Sequence, residues 1–153
     1  MSFLRLLPLT LVVVILYNLT AFGAMGFGGA ADPKAAAMTV DQISQLLDRE
    51  MLTIHLVSGP WHFTVGTFFV TIGMFALFVE LLRSTRTDSI SIANHALSVM
   101  VLVLCLLEFV VVRGFNTSVF FYLTLMALID VVAGFTVTII GARRDFGGGG
   151  VAI

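Results

Sequence analysis

The sequence predicts an all-α membrane protein: four transmembrane helices in an up-down bundle, plus one amphipathic extracytoplasmic helix between spans 1 and 2. Three observations predict it. First, 59% of the 153 residues are hydrophobic and only 11% are charged, whereas a soluble domain has about 25% charged residues. Mean hydropathy is +1.08. There is too little polar side chain here to cover a water-facing globule. Second, the apolar residues gather into four runs, each close to the roughly 20 residues that cross a bilayer core of about 30 Å as a helix. Third, a stretch between the first two runs repeats apolar residues at helical spacing but is too polar to span.

The four spans cover about residues 3–23, 61–82, 90–112 and 119–141 of one domain, 1–153. The first could be a signal peptide, with Arg5 as its basic start and Gly29-Ala30-Ala31 as a small-residue cleavage site. Its apolar stretch is longer than a typical signal core, so it is expected to stay as a span. Short connections, 84–89 and 113–118, predict consecutive helices as antiparallel neighbours. Residues 145–153, with Gly147 to Gly150 in a row, read as a flexible tail.

Orientation follows from basic residues near span ends. With four spans the termini share a side. That side carries Arg5, Arg83, Arg86, Arg143 and Arg144, against Lys34, Arg49 and Arg113 opposite. The excess predicts both termini in the cytoplasm, in a bacterial inner membrane. Trp61 and Tyr122 then fall near outer span ends, as in an aromatic belt.

The outer segment, 24–60, begins as a Gly- and Ala-rich linker with a turn at Asp32-Pro33. Thr39, followed three residues later by Gln42, forms a capping-box pattern. Val40, Ile43, Leu47, Met51 and Ile54 then recur at helical spacing, which predicts a helix over about 39–57. Its apolar face, with Ile43, Leu47 and Met51, fits a lid on its own bundle, a docking face for a partner, or a gate.

Ionisable groups in hydrocarbon are costly and default to a functional hypothesis. Asp130 is the sharpest case, central in the fourth span. Asn18, Thr124 or Thr136 could bond it; a proton relay and a contact with another subunit are the alternatives. Glu108 could pair with His62 or Arg113. Glu80 sits beside Arg83 and reads as an interfacial ion pair, and His95 as an interfacial histidine. Gly66 and Gly73 in the second span, and Ala133-Gly134 and Gly141 in the fourth, mark close helix contacts. The single Cys105 reads as a small hydrophobe in the third span.

No catalytic constellation, metal site or cofactor is expected. His62 and His95 lie at opposite ends of their spans, too far apart to ligate one haem iron. A net charge of −1 argues against nucleic acid. The partners expected are the lipid bilayer and other membrane-protein subunits. These features point to a non-enzymatic accessory or structural subunit of a larger membrane complex, of respiratory or photosynthetic kind. The alternative is a small oligomeric proton-coupled transporter or channel using Asp130 and Glu108.

Overall fold

A computed structural model describes residues 7–25, 33–84 and 89–147. The expected tail, 145–153, and the linker at 26–32 lie largely outside them. The described chain is mostly helical: α1 (Leu9–Met25), α2 (Pro33–Asp48), α3 (Val65–Ser84), α4 (Ser89–Val111) and α5 (Ser118–Gly147). A two-stranded hairpin, β1 (Glu50–Leu56) and β2 (Gly59–Thr64), stands between α2 and α3.

Three helices are long and apolar enough to cross a membrane: α3, α4 and α5. Each is hydrophobic around most of its circumference, so it suits lipid on one side and protein on the other. α1 is equally apolar but has 17 residues, a rise of about 26 Å against a core of about 30 Å.

Local chemistry sets the helix starts. Pro33 takes the first position of α2, where its missing N–H costs nothing. Thr64 caps α3, its hydroxyl accepting from the Thr67 N–H at 3.2 Å. Thr117 caps α5 in the same way, accepting from the Phe120 N–H at 3.2 Å. Gly114 turns the chain out of α4 with φ +87°, which a side chain would resist.

The hairpin corrects the expected helix over 39–57. The helix begins earlier, at Pro33, and ends at Asp48. From Leu52 the apolar period changes from that of a helix to two, with Leu52, Ile54 and Leu56 alternating with Thr53 and His55. The strands pair in antiparallel register, with Thr53 opposite His62, Ile54 opposite Trp61 and Leu56 opposite Gly59. Met51 and Ile54 lie in β1, so their helical spacing to Leu47 is coincidental. The second span starts at Val65 for the same reason, and Trp61 is in a strand.

Packing departs from the expected pairing of consecutive spans, since α3 and α4 touch little. The principal neighbour of α3 is α5, which also packs along α4; α1 lies chiefly against α3. The core is richest near the hairpin end. Tyr17, Phe69, Phe115 and Phe120 are each at most 2% exposed, and the Tyr17 ring lies 5.0–5.7 Å from the other three. Ile43 and Leu47 of α2 are buried beside this cluster, so of the apolar face read as a lid, a docking face or a gate, these two residues pack on their own bundle. Cys105 is fully buried in the same core. By contrast Leu19, Phe75 and Val110 are 67%, 67% and 78% exposed, an arrangement suited to lipid and unsuited to water.

Close approach of α2 to α3 depends on Gly66. A β-carbon there would lie 2.9 Å from Val119 Cγ2 and 3.2 Å from the Leu47 carbonyl oxygen, which belongs to fixed backbone. At Gly23 nothing lies within 4 Å. Gly66→Val is therefore expected to destabilise the detergent-solubilised protein by about 1–3 kcal/mol through overpacking, and Gly23→Ala to leave it unchanged. Thermal unfolding of both variants checks this; equal melting temperatures would refute the contact.

Candidate polar ties within the membrane-embedded bundle

Each helix end in a bilayer must find partners for backbone groups that water cannot reach. Glu80 answers this need for α1. It is 1% exposed, and one carboxylate oxygen accepts from the Leu9 N–H at 2.6 Å. The Thr10 N–H also donates to it. The carboxylate thus caps the first turn of another helix, where the helix dipole favours negative charge. Its other oxygen accepts from Asn94 Nδ2 of α4 at 3.1 Å. One side chain of α3 therefore holds α1 and α4 together.

Asp130 lies nearby in α5, close enough for its charge to act on Glu80. It is 4% exposed and takes a hydrogen bond from Ser98 of α4. Ser98 Oγ also lies 3.3 Å from the Asn94 carbonyl oxygen, so its single proton serves one of the two acceptors at a time. Beyond it, the His95 ring occupies the space that a β-carbon at Gly134 would fill. That ring meets Phe135 edge-on at 4.4 Å. Four buried polar atoms here have no protein partner: Thr10 Oγ1, Asn94 Oδ1, His95 Nε2 and Asp130 Oδ2.

A second set of ties joins α1 to the other helices toward the hairpin end. Asn18 Nδ2 donates to Glu108 Oε1 at 2.9 Å. The Tyr17 hydroxyl and Thr117 Oγ1 are 2.9 Å apart, so the cap of α5 is itself bonded to α1. α1 is thus fastened by polar groups at its first turn and at its middle.

The expected partners differ from the observed ones. Asp130 bonds Ser98, not Asn18, Thr124 or Thr136. Those threonine hydroxyls donate to their own helix, at Phe120 O and Val132 O. Glu108 meets Asn18, not His62 or Arg113. His62 lies in the exposed hairpin, where Nδ1 is 3.0 Å from Glu50 Oε1 and 3.3 Å from Thr53 Oγ1. Glu80 is not a surface ion pair with Arg83 but the most buried acid described. Its signal was present: Gly66, Gly73 and Glu80 repeat every seven residues on one face of α3, the face already marked as a helix contact.

Chemically, these groups suit adhesion between helices. Among the described residues, no three His, Cys, Asp or Glu side chains converge closely enough to hold a metal ion. Comparison with protein-family models, with curated proteins and with solved structures found no match.

Removing the Glu80 acceptor leaves the first N–H donors of α1 unpaired in the protein interior. Glu80→Leu is expected to cost about 1–3 kcal/mol for each donor left unpaired. Glu80→Gln keeps an acceptor oxygen and is expected to lose much less. Melting of the two variants in one detergent, followed by near-ultraviolet circular dichroism, distinguishes them. Indifference to both changes would show that Glu80 does not hold α1.

Proposed function

We propose that the chain is a non-enzymatic structural subunit of a larger membrane complex, of respiratory or photosynthetic kind. The observation that carries this reading is the use made of the intramembrane polar groups. Glu80, Asn94, Ser98, Asp130, Asn18 and Glu108 bond helix to helix, so they serve assembly of the chain before any chemistry.

The same bonds support a fourth span. α1 is short, but Glu80 holds its first turn and Tyr17 and Asn18 hold its middle, so its first half lies along helices that cross. Four spans put both termini on one side. The excess of basic residues at that side favours the cytoplasm of a bacterial cell. The hairpin then faces the outside. Tags at the two ends, probed by protease in intact and in opened cells, are expected to be protected together. Protection of only one tag would reduce the spans to three.

The subunit reading is tested by gentle solubilisation of the native membrane. A stable set of larger membrane proteins, recovered in fixed ratio with this chain, is the expected result. Recovery of the chain alone or only as its own oligomer would overturn it.

One observation favours the proton-coupled transporter as a second reading: unpartnered atoms of Thr10, Asn94 and His95 gather near the buried acids Glu80 and Asp130, and one Asp130 oxygen is itself unpartnered. It replaces Glu108 with Glu80 as the companion of Asp130. The order of two substitutions separates the readings. In a structural role Asp130→Asn keeps hydrogen bonding and assembly, and Asp130→Leu loses them. In a relay, Asp130→Asn folds and assembles but abolishes proton movement in reconstituted vesicles. We expect the structural order.

A further inference from the structure

The hairpin has two faces of opposite character. Residues paired across an antiparallel ladder share a face. Leu52 pairs with Phe63, Ile54 with Trp61 and Leu56 with Gly59, which places five large apolar side chains on one face with no ionisable group among them. The other face carries Thr53 opposite His62, His55 opposite Pro60, and the Glu50–His62 pair. Leu52, Leu56 and Trp61 are 56%, 52% and 46% exposed. Val57, at the turn, is wholly exposed. An isolated two-stranded hairpin is at best marginally stable in water, so this face needs a cover. α2 does not supply it, since Ile43 and Leu47 point into the helical core.

What covers it follows from where the hairpin is rooted. β2 ends at Thr64 and α3 begins at Val65, with no residue between. The Val65 N–H also donates to the Arg49 carbonyl oxygen at 3.0 Å, which fastens the base of β1 to the start of the crossing helix. The sheet therefore springs from the membrane boundary. The chain passes without a break from this hairpin into α3, whose exposed apolar side chains begin further along, at Met74 and Phe75. The hairpin's seven-residue strand extends about 23 Å, longer than one interfacial layer is thick, so bedding into that layer requires the strand to lie along the membrane surface.

We propose that the apolar face of this hairpin beds into the lipid interface beside α3, as a β-structured counterpart of an interfacial amphipathic helix. Depth is limited by the backbone. Both strands are edges, and their unpaired N–H and C=O groups need water or headgroups. The face thus sits at the level of the acyl carbonyls, with Trp61 as its amphipathic anchor and Glu50, Thr53 and His62 turned to water. This inference does not rest on the subunit reading, because the lipid is met with or without a partner.

Trp61 is the only tryptophan in the chain, so its fluorescence reports on this face alone. The full-length protein is reconstituted into phosphatidylcholine vesicles brominated either near the acyl carbonyls or near the chain ends. The expected result is emission shifted to the blue of tryptophan in water, quenched several-fold more by shallow bromine than by deep. Leu56→Asp is expected to remove most of that quenching while helix content stays constant. A water-like spectrum that neither lipid quenches would overturn the proposal. So would a blue-shifted spectrum indifferent to bromine, which means that protein, a second copy or a tightly held partner, covers the face. Stronger quenching by deep bromine would equally refute the interfacial placement. The unsubstituted protein decides among these outcomes even if the variant fails to fold.

Discussion

A bilayer offers no hydrogen bonds, and the fold is organised around that fact. The buried start of α1, close to the far end of α3, shows the constraint most clearly. Glu80 supplies the acceptor that its first turn lacks, and does so from the neighbour against which α1 mainly packs. The cost of placing a carboxylate there is offset because the dipole of α1, two N–H donors and the Asn94 amide all point at it. Without that group the first turn of α1 would have to fray or move to the headgroups. The contacts of Tyr17 and Asn18 further along would then have to shift with it.

The two ends of the bundle are built from different materials. Toward the hairpin the core is aromatic, with Tyr17 at the centre of three phenylalanines and with α2 closing over them. Toward the other end it is polar, with unpartnered atoms on Asp130 and His95. Aromatic packing of this kind needs no exact proton positions and tolerates no water. The polar end has unpartnered atoms that water could serve. Toward the hairpin, too, Asn18 Oδ1 and Glu108 Oε2 are buried without a partner, so the contrast is one of degree.

Long apolar runs were legible from sequence because hydrocarbon imposes length and composition directly. α3, α4 and α5 lie within a few residues of where the runs place them. Residues 50–64 were misread because Ile43, Leu47, Met51 and Ile54 keep helical spacing across a boundary. The alternation of Leu52, Ile54 and Leu56, and the Gly59-Pro60 pair, carried the better signal. Polar partners were harder still. Asp130 stood out as intramembrane, but its partner depends on which helices touch. The assumption that consecutive helices are neighbours hid the place of α5 beside α3. Glu80 was discounted because Arg83 is one turn away, although the seven-residue repeat from Gly66 and Gly73 put it on the packed face.

The position of α5 bears on how the protein is made. α3 and α4 emerge from the ribosome first, yet the helix that packs along both of them comes after. Each earlier segment can enter the bilayer alone, since insertion depends on its own apolarity. Association between segments is a separate step, driven by close packing and interhelical hydrogen bonds. During synthesis, then, Glu80 and Ser98 are already within the membrane while Asp130 is still to arrive. The nascent chain passes through a stage in which acids and amides await their last neighbour. For that interval its polar groups depend on headgroups, on water, or on the insertion machinery itself.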